Sequence, residues 1–164
     1  VESILAAKRL EVSSTTIPQL SIPKVIGDPR YAGHLAEREA MFGQRADELI
    51  EAFKGCNAVI VNKPGGAFYY TPLCNEALLN AEQTLPIENE DVRRTIEEMT
   101  KDVEPDKRFV YYLMGATGIV VVPLTGFQCS YYGFRGTLLE HNDEKRAWIL
   151  KTIRDAINTY ISST

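Results

Sequence analysis

No apolar run in this chain of 164 residues approaches the ~20 residues that a bilayer span needs. Cysteine is scarce and odd in number. Cys56, Cys74 and Cys129 are widely spaced, and no C-x-x-C occurs. With His34 and His141 as the two histidines, there is no zinc pattern and no disulfide framework. A reduced, intracellular and cytoplasmic protein is the simplest inference. A basic excess is also lacking: 18 Lys and Arg against 22 Asp and Glu give a net charge of -4. Non-specific nucleic-acid binding needs clustered cations. The pairs Lys8-Arg9, Arg93-Arg94 and Lys107-Arg108 each have acids nearby, so they read as solvated helix faces. Repeats and biased linkers are absent. The start, VESILAAKRLEV, carries Glu2 early and is not expected to be a signal peptide.

What remains is globular: 45% hydrophobic, 24% charged, 11 Gly and 8 Pro, values that argue against disorder. Residues 1–12 read as a helix. Thr16 can cap a second one, which Pro23 shortens or kinks. Asp28-Pro29 reads as the start of a long amphipathic helix over 30–54, with Leu35, Phe42, Ala46, Leu49, Ile50 and Phe53 on one face and Gly55 as a left-handed cap. Residues 57–62 and 67–73 read as two strands of a hairpin around Lys63-Pro64-Gly65-Gly66. Helices are predicted over 89–102 and 105–117, the latter capped by Gly118. Ile119–Val122 reads as a strand covered on both faces, 124–130 as a loop, and 131–139 as a strand. Asn142 caps a last helix whose inner face is Ile149, Ile153, Ala156, Ile157 and Tyr160. The order predicts one α/β (α+β two-layer) domain: a small, largely antiparallel sheet with long helices packed on it.

Arg135 is the most informative residue. It sits mid-strand among aromatics, glycines and leucines. By period 2, Tyr132, Phe134, Gly136 and Leu138 share one face, and Tyr131, Gly133, Arg135, Thr137 and Leu139 the other. A guanidinium held there can clamp a carboxylate in bidentate fashion. Gly133 removes bulk beside it, and Gly136 permits close approach of a backbone or ligand. A structural ion pair with an internal Asp or Glu is the other reading of the same pattern.

Other motifs carry less. Ser21-Ile22-Pro23-Lys24 matches S-x-x-K by chance, with no S-D-N or K-T-G to accompany it. Gly65-Gly66 lacks the spacing of a phosphate loop. His34 and His141 have no Ser or Cys partner that can be placed. Tyr131, Tyr132 and Phe134 could stack on a ligand, but sheet packing explains them as well.

Several segments in register resemble the C-terminal part of pyridoxal-phosphate aminotransferases of classes I and II. They are Asp28-Pro29-Arg30-Tyr31, the Arg45–Leu49 helix, Lys63-Pro64-Gly65-Gly66-Ala67-Phe68-Tyr69, Thr117-Gly118-Ile119, Pro123, Gly126-Phe127 and Phe134-Arg135-Gly136-Thr137-Leu138. The long polar insert between Tyr70 and Ala116 is most similar to the alanine-aminotransferase-like branch. The resemblance implies that Arg135 holds the substrate α-carboxylate. It implies pyridoxal 5′-phosphate as cofactor, an amino acid and a 2-oxo acid as substrates, and a homodimer. It also implies a missing N-terminal large domain that carries the Schiff-base lysine. Residues 1–27 would then be a connecting helix and segment, and 28–164 the small domain, inactive alone. Arg9 precedes SSTT where aspartate-type enzymes have a second arginine, but the local match is too loose to carry that role across. Two other readings stand beside this one: a stand-alone module binding a small carboxylate, and a purely structural domain with Arg135 internally paired.

Overall fold

The computed structural model describes residues 1–9 and 15–164. It divides into two compact units, Val1–Ala40 and Met41–Thr164.

The first unit holds α1 (Glu2–Arg9), α2 (Thr16–Ile26) and the beginning of α3 (Tyr31–Ala52). Residues 10–12 of the first expected helix lie outside the described residues. Thr16 does not cap α2; Thr15 stands at that position and makes no side-chain cap bond. Pro23 does not end α2 either. The helix runs three residues past it, and the Pro23 carbonyl accepts the Gly27 N–H at 3.0 Å. Asp28 does not cap α3. It accepts the Arg30 N–H at 2.9 Å and pairs with the Arg30 guanidinium at 2.7 Å, closing a turn from which the helix starts at Tyr31.

The second unit is an α+β fold. Its strands are β1 (Val59–Ile60), β2 (Tyr69–Tyr70), β3 (Leu73–Cys74), β4 (Val122–Pro123) and β5 (Phe134–Thr137). They form two small antiparallel sheets, β1-β3 and β2-β5-β4. The expected hairpin does not form. Residues 67–73 split at Thr71-Pro72: Tyr69 and Tyr70 pair with Thr137 and Gly136, while Leu73 and Cys74 pair with Ile60 and Val59. Proline has no N–H to continue a ladder, and the Pro72 carbonyl accepts the Phe134 N–H at 3.1 Å, which fastens one sheet to the other. The Ile119–Val122 run is also corrected. Only Val122 and Pro123 pair, and Val120 is 70% exposed, so the run is not covered on both faces. Residues 124–127 form a 3₁₀ turn rather than an open loop.

The later helices are α4 (Glu90–Met99), α5 (Pro105–Thr117) and α6 (Asp143–Ile161). Their ends follow local chemistry. The Asn89 side chain accepts from the N–H groups of Asp91 and Val92, and that of Asn142 from Lys145. Gly118 closes α5 at φ 73°. The core joins Leu49 of α3, Phe109 and Leu113 of α5, Ile153, Ile157 and Tyr160 of α6, Phe134 of β5 and Leu138 just after it. Phe109 lies 5.6 Å from Phe134 and 5.3 Å from Tyr160, ring centre to ring centre. Each such side chain contributes about 1.5–3 kcal/mol by leaving water, which is enough to hold a sheet of very short strands against the helices.

All three cysteines are free, with Cys56 and Cys74 buried and Cys129 partly exposed. Burial, reinforced by the Asp106 charge and Cys56, pushes the Cys74 thiol up to about 12. Thiolate is the reactive form. A thiol reagent at neutral pH is therefore expected to label Cys129 quickly and the other two only after unfolding in urea. Rapid labelling of all three in the native chain would contradict this packing.

Candidate carboxylate-binding site

β5 is the central strand of its sheet, and its alternation is as the sequence predicts: Phe134 and Gly136 face the core while Arg135 and Thr137 face out. Both glycines, however, serve the chain's own packing rather than a ligand's approach. A Cβ on Gly136 would come within 2.3 Å of the Tyr70 ring, and one on Gly133 within 2.3 Å of the Pro72 carbonyl oxygen. Alanine at 133 would push the Pro72–Leu73 junction away from the strand, and alanine at 136 would displace the buried Tyr70 ring of the neighbouring strand.

The outward face is where the chemistry lies. The Arg135 guanidinium sits 4.5 Å from the centre of the Tyr69 ring and 4.2 Å from that of Phe127. Tyr69 comes from the neighbouring strand, and Phe127 from the 3₁₀ turn that follows β4. Each stack is worth about 0.5–1 kcal/mol. Together they limit the rotamers of a long side chain and shield the flat faces of the guanidinium. No carboxylate or carbonyl bonds its N–H groups among the described residues, so the internal ion pair is not what the structure contains. The fork of donors is left for a ligand.

Backbone strain marks the same place. Among the described residues, the non-glycine residues with positive φ are Ala67 at 55° and Gln128 at 58°. Ala67 lies two residues before Tyr69, and Gln128 directly follows Phe127. Such conformations cost about 1–3 kcal/mol each and concentrate at ligand clamps. Here they fall beside the two rings that flank the guanidinium.

The strand is fixed at both ends by buried charged groups. Arg45, 5% exposed, donates from Nη1 to the Leu138 carbonyl at 2.6 Å. At the other end, Asp106 accepts from the Gly133 N–H at 3.5 Å.

Sequence reasoning missed Tyr69, Phe127, Asp106 and the anchoring role of Arg45. Tyr69 and Phe127 were visible as parts of motifs, but nothing local tells that their rings converge. The aromatic cluster that was visible separates: Phe134 is core, Tyr131 is 61% exposed, and neither stacks on Arg135. The remaining candidates stay apart from the site. Ser21 donates its hydroxyl to the Ile17 carbonyl at 2.8 Å within α2, and His34 is exposed on α3. His141 and Gly65-Gly66 lie in exposed loops. A surface cavity of about 830 Å³ between residues 84–88 and the end of α6 includes neither Arg135 nor its rings.

Comparison with known proteins gives three findings. The chain is 44% identical over 163 residues to an uncharacterized aminotransferase of Methanocaldococcus jannaschii, covering 99% of this chain and 38% of the relative. It is 32% identical over 133 residues to the mitochondrial alanine aminotransferase 2 of Arabidopsis thaliana, covering 76% of this chain and 21% of the relative. The chain thus spans well under half the length of these curated relatives. Among solved structures, an aspartate aminotransferase of Rhodobacter sphaeroides superposes with a TM-score of 0.52 at 19% identity, over 80% of this chain and 26% of that one. At that identity the superposition shows the fold alone. No family model matches the chain.

Proposed function

Because this chain belongs to the aminotransferase family as a C-terminal, small-domain portion, we propose that Arg135 binds the α-carboxylate of an amino acid or 2-oxo acid. The reaction served is transfer of an amino group between the two, within a longer enzyme. One observation carries this reading: a guanidinium on the central strand, stacked against Tyr69 and Phe127, has no acid partner among the described residues. A planar carboxylate entering in the plane of the fork gains two parallel charge-assisted bonds. That geometry fixes the position of the bound acid and its rotation about the bond to the α-carbon. The two rings keep water from the faces of the cation, which strengthens the in-plane bonds.

Pyridoxal 5′-phosphate is the electron sink such a reaction uses. The residues of this chain do not make a site for it. No lysine is buried among the described residues, and Lys54, Lys63, Lys101, Lys145 and Lys151 each pair with a carboxylate at the surface. The cofactor therefore belongs to the complete enzyme, with the large domain that supplies its lysine, and no step is assigned to it on these residues. Residues 1–27 then connect the large domain to a small domain of 28–164, and the complete enzyme is a cytoplasmic homodimer. The alanine-aminotransferase branch is favoured by the plant relatives. No helix among the described residues is long and apolar enough to cross a membrane.

The test is a titration of the 164-residue chain with pyruvate, followed through the Nε–H resonance of Arg135. Saturable movement of that resonance is expected, with acetate weaker and the methyl ester of pyruvate without effect. A resonance that stays put at all pyruvate concentrations would overturn the assignment.

A further inference from the structure

We propose that Asp106 is a positioning residue for Arg135: without touching a ligand, its carboxylate fixes the spacing between the Phe127 ring and the guanidinium. The inference rests on the carboxylate-binding reading of Arg135. Asp106 is 1% exposed and has no cationic partner among the described residues. Its charge is met by hydrogen-bond donors instead. Oδ1 accepts from the Lys107 N–H at 2.8 Å and the Thr125 hydroxyl at 2.8 Å. Oδ2 accepts from the Thr125 N–H at 3.0 Å and the Gly133 N–H at 3.5 Å. It also stands in the first turn of α5, where the helix dipole favours an anion.

The donors come from the two ends of one excursion of the chain. Thr125 belongs to the turn that ends in Phe127, and Gly133 lies two residues before Arg135. The Leu124 N–H, donating to the Gly133 carbonyl at 3.0 Å, closes the same neck. One carboxylate thus ties together the segment that carries the ring and the strand that carries the cation. A core that needed only stability would be served as well by an apolar side chain, since burying a lone charge is costly. What the carboxylate adds is a tie at Thr125, beyond the last β4–β5 pair and the Leu124–Gly133 bond, which fixes the turn carrying Phe127 against the strand.

Asp106→Asn tests this. The amide is nearly isosteric, but it has one acceptor oxygen where the carboxylate has two, and its NH₂ must face either the Lys107 N–H or the N–H groups of Thr125 and Gly133, so the tie loses its charge and at least one bond and the neck loosens. In the folded variant the Arg135 Nε–H resonance, set by the ring currents of Tyr69 and Phe127, is expected to move. Pyruvate affinity is expected to fall about tenfold, the loss of one charge-assisted contact. Phe127→Leu should weaken binding similarly, and the double variant should be no weaker than either single one. Additive losses, or an Asp106→Asn chain with an unmoved resonance and affinity within twofold of the parent, would overturn the proposal. If Asp106→Asn does not fold, Thr125→Val decides: it removes only the hydroxyl contact, and an unmoved Arg135 resonance then counts against the idea. The resonance needs no ligand, so a chain that fails to bind pyruvate sinks the carboxylate reading while the geometric role of Asp106 is still read separately.

Discussion

Arg135→Lys is expected to weaken pyruvate binding by about 10- to 100-fold, the worth of roughly 1.5–3 kcal/mol for a charge-assisted bidentate contact. Lysine keeps the charge but not the fork. It offers a point charge on a flexible stem and cannot meet two carboxylate oxygens in one plane. It also loses the two ring stacks that hold the guanidinium at 4.5 and 4.2 Å. Stability should respond far less. The Arg135 side chain makes no hydrogen bond or ion pair within the described residues, so the fold loses only the stacking, about 0.5–1 kcal/mol per ring. Isothermal titration and urea unfolding on the same samples separate the two effects. Unchanged pyruvate affinity in Arg135→Lys would remove the residue from the site. A large loss of stability would restore the structural reading instead.

The second large effect is alkaline unfolding. Burial raises the Cys74 thiol from an ordinary value of 9.0 to about 12, and it raises the hydroxyls of Tyr70 and Tyr160 well above their ordinary 10.0. The folded chain therefore keeps three protons that the unfolded chain releases. Stability is full below about pH 9. It then falls by about 1.4 kcal/mol per pH unit from Cys74 alone, and by about 4 kcal/mol per unit once both tyrosines titrate in the unfolded state. These losses reach about 5 kcal/mol near pH 11 and about 10 kcal/mol near pH 12, so a domain in the lower part of the ordinary stability range unfolds in that interval. Urea midpoints measured at pH 8, 10 and 11 should drop progressively. Tyr160→Phe is the control. Its buried hydroxyl makes no well-formed hydrogen bond among the described residues, with the Arg108 guanidinium as its charged neighbour, so the variant should stay close to the parent at pH 8 and lose stability less steeply above pH 10. Midpoints that do not change between pH 8 and 11 would mean that these groups are open to water.

Features set by neighbouring residues were readable in advance. The Asn142 cap, the Gly118 terminator and the inner face of α6 each depend on a few consecutive positions. So does the alternation of β5, because successive side chains on a strand must point to opposite faces. The strand partners were not readable. Residues 67–73 looked like half of a hairpin, yet their pairing is divided between β5 and β1. That choice depends on the space Gly133 and Gly136 leave for Pro72 and Tyr70, across more than sixty positions of chain. The apolar run 119–122 misled for the same reason, since burial on two faces depends on what lies above, and nothing covers Val120.

For the site, the chain by itself singled out a cation mid-strand and, through shared motifs, its family. Only the tertiary structure decided that this cation has no acid partner among the described residues, that Tyr69 and Phe127 stack against it, and that Asp106 and Arg45 hold its strand. Residue identity and short-range spacing govern what a segment can be. Which groups meet across distant segments is settled by close packing, where each side chain occupies the volume others leave free.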